Sequence, residues 1–304
     1  MEILKDLFFI ERGYLNANHF VFCDSEPVLI DTGYIRDFDE TKRLIEGLGV
    51  DLKQTRRIIC THTHCDHIGG NSRIQEQSGC EIALHQIGKH YIDRQDDWST
   101  WWRYYGQEAE FFKCSIGLES GHEVQVGPHK FEVIHTPGHA SDGMVLYNRK
   151  DKVLISSDTL WENDLAVITP RVEGSAAVFT ALESLQKLEG LQVEAVYPGH
   201  GRPFTDMAAA LKHSRRKYLS YLQEPARMAD DQLKRIFVYT LLMYRRLSED
   251  ELFMRLMAVP WYQETVDLFF SRDYEGKYRQ IISGLLDKGV VQNSPKGLTP
   301  LVKA

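Results

Sequence analysis

The chain is poor in cysteine, and the cysteines it has form no motif. Cys23, Cys60, Cys65, Cys80 and Cys114 are odd in number and irregularly spaced along 304 residues, with no Cys-x-x-Cys pair. That excludes a zinc knuckle and a disulfide framework and leaves reduced thiols, mostly small buried apolar groups. Long apolar runs are missing too: none approaches the ~20 residues that a membrane-spanning helix needs. The opening stretch, "MEILKDLFFIERGY", places charges on both sides of a short apolar patch. It lacks the long apolar segment and small-residue cleavage site of a signal peptide. The expectation is a cytoplasmic protein without a membrane partner. Nor is there a cationic excess: the formal charge is −7, and residues 1–204 carry 20 Lys/Arg against 31 Asp/Glu. An acidic first part excludes general nucleic-acid affinity there. Residues 205–304 carry 16 Lys/Arg against 12 Asp/Glu, a surplus that an ordinary solvated helical surface accounts for.

What is present reads as strands alternating with helices, then helices alone. "FVFCD" and "PVLIDTG" are β-rich runs split by Asp24 to Pro27, a hairpin pattern. "RDFDETKRLIEGLGV" has helical spacing, "RRIIC" is a short strand, and "HKFEVIHT", "MVLYN" and "KVLISS" are further strands. "SAAVFTALESLQKLEG" predicts a helix and "VEAVYP" a last strand. Such alternation predicts an α/β fold with sheets covered by helices. From Thr205 onward "DMAAALKHSRRKYLSYLQ", "ADDQLKRIFVYTLLMYRRL" and "EGKYRQIISGLLDKG" predict helices, and Ser248 with Glu251 predicts a capping box. "KGVVQNSPKGLTPLV" predicts two short strands around a turn. The expected division is a catalytic domain over residues 1–204 and a helical, winged-helix-like domain over 205–304.

The informative stretch is "RIICTHTHCDHIGGN", residues 57–71. It crowds His62, His64, Asp66 and His67 into six positions after an apolar run. On a strand, residues 62 and 64 would share one side, and Asp66 and His67 would open a following helix. A turn there aims all four at one point. Histidine nitrogens and carboxylates suit zinc and its first-row neighbours. Four such groups exceed what one ion needs, so further candidate ligands are expected near other strand ends. "TPGHASDG" supplies His139, "LISSDTLW" supplies Asp158 and "VYPGHGRPF" supplies His200, each just after a strand.

This ordered set resembles the metallo-β-lactamase superfamily over residues ~10–205, from "LIDTG" to "YPGHG". The resemblance implies an αββα sandwich with a two-metal site at one edge. It implies that His62, His64 and His139 bind the first metal, that Asp66, His67 and His200 bind the second, and that Asp158 bridges them. Asp31 and Asp142 would support metal-bound histidines from behind. Two divalent ions, zinc foremost with iron or manganese as alternatives, would hold a bridging hydroxide that attacks an electrophilic carbonyl or phosphorus. Asp66 and His200 are the candidate catalytic residues, Asp66 orienting the nucleophile and moving a proton.

Departures from family patterns narrow the reading. B1 β-lactamases have cysteine at the position of Asp158. Common acyl-homoserine-lactone lactonases have tyrosine three residues later, where this chain has Trp161. Glyoxalase II proteins and persulfide dioxygenases have a Gly-Cys-Gly-Arg-like loop in place of "TLWENDLAVITP", and flavodiiron proteins need glutamate at His64. A lactamase core followed by a helical tail resembles lactamase-beta-2-like proteins. The glycine usual before the bridging aspartate is Ser157 here, and Cys65 lies between two candidate ligands.

Between the first motif and His139 lie Trp98, Trp101, Trp102, Tyr104 and Tyr105. They read either as helix residues packed on the core or as the wall of a pocket for an apolar substrate. Acids nearby (Asp93, Asp96, Asp97, Glu108 and Glu110) repel phosphate, against base stacking. His85, His90, His122, His129 and His135 read as structural or exposed. The expectation is a hydrolase that cleaves a small ester, thioester or lactone with an apolar part. The alternatives are a ribonuclease guided by the basic tail and a DNA-binding regulator with a structural metal. The sequence leaves the oligomeric state open.

Overall fold

Alternating burial along the strands dictates a layered molecule. In the computed structural model, which describes residues 1–303, seven strands form one sheet in chain order. They are β1 (Glu2–Leu4), β2 (Leu7–Ile10), β3 (His19–Phe22), β4 (Val28–Ile30), β5 (Arg57–Ile59), β6 (Glu81–His85) and β7 (Ile116–Leu118). A second sheet is built from β8 (Glu123–Val126), β9 (His129–His135), β10 (Met144–Asn148), β11 (Val153–Ser157) and β12 (Ala195–Pro198), in the order β12-β11-β10-β9-β8. Successive strand residues face opposite sides. Phe20, Phe22, Val28, Ile30 and Ile59 of the first sheet therefore meet Phe131, Val133, Met144, Leu146 and Ile155 of the second in a shared inner core. Their neighbours Val21, Leu29, Ile58 and Ile82 point outward into a separate helical core. Val145, Tyr147, Leu154 and Val196 do the same on the far side.

Helices cover both outer faces. They are α1 (Phe38–Glu46), α2 (Cys65–Ile68), α3 (Asn71–Ser78), α4 (Gln86–Asp93), α5 (Trp102–Tyr105), α6 (Pro170–Glu173) and α7 (Ala177–Leu188), followed by α8 (Met207–Gln223), α9 (Pro225–Tyr244), α10 (Glu249–Met257), α11 (Pro260–Phe269) and α12 (Tyr274–Asp287). The hairpin β13 (Val291–Ser294) and β14 (Gly297–Pro300) closes the chain. This is the expected sandwich of two sheets between helical layers. The capping box forms as the sequence predicts, with Ser248 accepting from the backbone of Glu251 and Glu251 answering the backbone of Ser248. Helix α11 is an addition to the elements read from the sequence. Pro260 at its first turn supplies a preset φ where no donor is needed, so it starts a helix instead of ending one.

The tail helices pack on both helical layers. Met207, Leu211 and Tyr218 of α8 join Val178 and Leu185 of α7. Leu233, Phe237 and Leu241 of α9 share a core with Leu15, Tyr34, Trp101 and Tyr105, and Trp261 and Tyr262 of α11 belong to the same cluster. Burying one such side chain contributes ~1.5–3 kcal/mol, so α9 is held firmly against the end of the sandwich where the strand-end loops gather.

Two strand junctions set up those loops. β4 and β5 are parallel, with Ile30 beside Ile59, so the segments after them emerge side by side. β11 and β12 are also parallel and end at Ser157 and Pro198. Carboxyl ends of adjacent parallel strands are where open α/β sheets carry ligands.

Candidate metal centre

The chain leaves β5 earlier than the alternation at residues 62 and 64 suggests. The strand ends at Ile59, and Cys60 N still bonds Ala83 O at 2.9 Å. Thr61 then turns inward: its backbone N–H donates to Asp31 Oδ1 and its hydroxyl to Asp31 Oδ2, both at 2.8 Å. His62 and His64 consequently lie on the connecting loop, in the turn expected after the strand "RRIIC". His64 is the residue before α2, and Asp66 and His67 sit on that helix as expected.

All seven residues singled out from the sequence converge. His62 Nε2 lies 3.1 Å from His64 Nδ1, which lies 2.9 Å from His139 Nε2. Asp66 Oδ2 lies 3.1 Å from His200 Nε2 and 3.8 Å from His67 Nε2. Asp158 Oδ2 stands between the two groups, 3.4 Å from His139 Nε2, 3.6 Å from His67 Nε2 and 3.8 Å from His200 Nε2. Three overlapping sets have the spacing of a metal site: His62, His64 and His139; His62, His67 and Asp158; and Asp66, His67 and His200.

The ring nitrogens facing away from this centre are mostly anchored. His67 Nδ1 pairs with Asp31 Oδ2 at 2.8 Å. His139 Nδ1 donates to Val167 O at 2.6 Å and His200 Nδ1 to Gly13 O at 3.1 Å. His62 Nδ1 is 3.2 Å from the Thr61 hydroxyl. An imidazole that donates outward through Nδ1 keeps a lone pair on Nε2 for the centre. Lone pairs converging at ~3 Å repel unless a proton or cation lies among them. His67 Nε2 and Asp158 Oδ1 are also buried without a hydrogen-bond partner. Buried polar groups are normally satisfied, so the donor set fits divalent metal. Asp31 meets its expected supporting position. Asp142 does not: it sits by Gly88 and Thr63, and among the described residues no hydrogen bond joins it to a histidine. Burial pushes its pKa up to about 7.

Electrostatics divide the centre. Burial holds the pKa of His62 and His64 well below the usual range, and the neighbouring histidines deepen the shift. His139 is also lowered by burial, which outweighs the pull of Asp158. His67 is equally buried, yet Asp158, Asp31 and Asp66 together raise it well above the usual value. Asp158 and Asp66 likewise raise His200 against burial. Asp158 itself is held low by His200 and His67 despite its burial.

Tight backbone geometry supports these positions. Ser157 has φ 47°, the left-handed region that favours glycine, the residue that the family resemblance implies there. Its hydroxyl donates to Thr61 Oγ1 at 2.7 Å, a bond that glycine would lack. Gly199 has no substitute: a Cβ there would collide with the Asp158 carboxylate.

A cleft of about 600 Å³ opens on the centre. Trp101, Trp161, Ala166, Val167 and Ile236 give it apolar walls, and Tyr14, Gln107, Arg235 and Tyr239 add polar groups. The aromatic segment serves both roles weighed for it. Trp102, Tyr104 and Tyr105 are buried in the core. Trp101 stacks 3.9 Å from His64, with φ 73° and its indole N–H on Glu173 Oε1 at 2.5 Å. Cys65 points away from the centre, its Sγ 3.5 Å from Tyr239 Oη. All five cysteines are free. Sequence reading missed Tyr14, Gln107, Glu173, Arg235 and Tyr239. Nothing local marks them, since Arg235 and Tyr239 come from α9, far along the chain.

The fold and this constellation define a superfamily, and comparison agrees: the model described as "Metallo-beta-lactamase superfamily" matches residues 16–200. The chain belongs to the metallo-beta-lactamase superfamily and, within it, is a metal-dependent hydrolase. Similar proteins include the probable metallo-hydrolase YqjP of Bacillus subtilis, 23% identical over 70% of this chain and 75% of that protein. The acyl-coenzyme A thioesterase MBLAC2 of Homo sapiens is 25% identical over 64% of this chain and 77% of that protein. A metallo-beta-lactamase family protein from Thermus thermophilus superposes with a TM-score of 0.62 at 17% identity, covering 98% of this chain and all of that one. That likeness concerns the fold. No helix among the described residues is long and apolar enough to cross a membrane.

Proposed function

We propose that this chain is a two-metal hydrolase of small acyl compounds, thioesters first, with esters and lactones as related substrates. One observation carries the reading: Asp158 Oδ2 lies within 4 Å of histidines from both clusters at the base of an apolar cleft. His62, His64 and His139 would hold one metal, Asp66, His67 and His200 the other, and Asp158 both. Two divalent ions held there supply a Lewis acid for the acyl oxygen and depress the pKa of a water molecule toward ~7. Zinc suits this mixture of nitrogen and carboxylate donors. The surrounding residues do the rest. Trp101, Trp161, Val167 and Ile236 exclude water and bind the apolar acyl part, which strengthens electrostatic contacts inside. Tyr14 keeps its proton, because burial pushes its pKa up to about 12, so its hydroxyl is a donor on the cleft wall. Asp66 faces the cleft beside His200 and is the group best placed to orient the nucleophile and receive its proton.

The apolar wall favours a small acyl substrate over a nucleic acid, and the human relative named as an acyl-coenzyme A thioesterase supports the thioester choice. Arg235, the pocket's cation, is committed to Asp164 and Leu165 O, and so is unavailable to a phosphodiester strand. Zinc-loaded protein should release free thiol from medium-chain acyl thioesters and lose that activity on chelation. Failure on thioesters, esters and lactones, with cleavage of RNA instead, would overturn the proposal. A cytoplasmic location is part of the same reading.

A further inference from the structure

A second cleft of about 920 Å³ continues outward from the first. Tyr14, Trp161 and His200 line both, so the two form one groove. Their chemistry differs. The outer cleft carries three cations, Arg12, Arg202 and Lys303, against two acids, Glu162 and Asp164. Asp164 is already engaged by Lys217 and Arg235. Arg202 is almost fully exposed, and its nearest acid, Glu11, is 3.9 Å away. Lys303 is brought to the rim by its carbonyl, which accepts from Tyr14 N at 2.8 Å.

Arg12 is the most telling of the three. It is 7% exposed. Nη1 donates to Thr41 Oγ1 at 2.8 Å and lies 3.4 Å from His19 Nε2. Among the described residues no carboxylate lies within 4 Å of its guanidinium. Burial outweighs the pull of the more distant Asp37 and Glu40 on it, and an under-compensated buried charge is costly. A guanidinium fork matches the oxygens of phosphate.

We propose that the outer cleft binds a phosphate-bearing end of the substrate while the acyl chain occupies the inner pocket. The substrate class is then an acyl thioester whose thiol portion carries phosphate groups, a refinement that rests on the hydrolase reading above. Hydrolysis breaks the acyl C–S bond; the oxygen of water ends on the acyl carbon, and the departing thiolate takes up a proton. The anionic thiol product leaves through the outer cleft.

The test uses two substrates that share an acyl group, octanoyl-coenzyme A and octanoyl-pantetheine, which lacks the phosphates. Arg202→Ala/Lys303→Ala, both surface changes, should lower the preference in kcat/KM for the phosphorylated substrate about tenfold, mainly through KM. An unchanged preference would overturn the proposal. A readout independent of turnover is calorimetric binding of adenosine 3′,5′-bisphosphate to the metal-loaded protein. It should be saturable, weaken with salt and weaken about tenfold in the double variant at unchanged metal content. Undetectable binding, or equal binding by parent and variant, would overturn it. Saturable bisphosphate binding without cleavage of either thioester would uphold the anion cleft and refute the hydrolase reading. Cleavage of both thioesters at equal efficiency would do the reverse. Tight binding and cleavage of single-stranded RNA would replace both.

Discussion

The two halves of the centre use the same side chain in opposite ways. His62, His64 and His139 form a cluster of nitrogens whose basicity burial suppresses. His67 and His200 are just as buried, but carboxylates surround them and raise their basicity. Histidine therefore does not determine the character of a metal position; the acids behind and beside it do. On this account the first position meets one carboxylate, Asp158, and the second meets two, Asp66 and Asp158. The second also binds protons more readily when metal is absent, because the carboxylates raise His67 and His200. Metal entering it must displace them.

Removing the group common to both halves should have the largest effect. Asp158→Asn should cut kcat/KM by about 10³-fold, ~4 kcal/mol of transition-state stabilisation, in a chain that still folds; steady-state kinetics with matched circular dichroism checks this. Activity near the parent's would refute the shared role. Asp31→Asn acts most directly on the second half, through His67, and reaches His62 only by way of Thr61. Asparagine tolerates the φ of 57° at this position, but it removes the charge that supports His67. Affinity at the position of His67 should drop ~10–100-fold, measured by competition with a chromophoric chelator, and equal loss at both positions would contradict the division. Glu173→Gln should have the smallest effect on metal affinity and show instead in stability. Burial pushes the Glu173 pKa from 4.5 up to about 7, so the folded chain keeps a proton that the unfolded chain has lost. Stability then falls as pH rises from about 4.5 to about 7 and is level above. The variant should lose up to ~3 kcal/mol of that pH dependence, seen in denaturation of metal-loaded protein at pH 5 and pH 8. Identical pH dependence in both proteins would mean that Glu173 is ionised throughout.

Much of the centre could be read from the sequence because its residues lie on the segments that follow β5, β9, β11 and β12. His139 and His200 come after Pro-Gly turns, Asp158 ends "LISSD", and the rest share one loop and helix. Sheet topology brings such ends together whatever lies between them. The strand "RRIIC" and the turn after it were legible, but nothing in the pattern shows that Thr61 leaves the ladder for Asp31, a contact between residues 30 positions apart. The pocket wall was less legible still. Arg235 and Tyr239 lie on a helix whose apolar stripe predicts burial but not what it is buried against. Trp101 was recognisable as one aromatic among several. Its contact with His64 depends on a left-handed backbone that its neighbours do not announce.

The central claim is that one chain holds two metals in unlike surroundings. The most direct measurement is calorimetric zinc titration of chelator-stripped protein, repeated in buffers of different ionisation enthalpy at pH 7. The account predicts two equivalents per chain, with more proton release at the position of His67 and His200 than at that of His62, His64 and His139. Two equivalents with equal proton release would contradict the electrostatic division, and a chain that takes up no metal would contradict the centre itself.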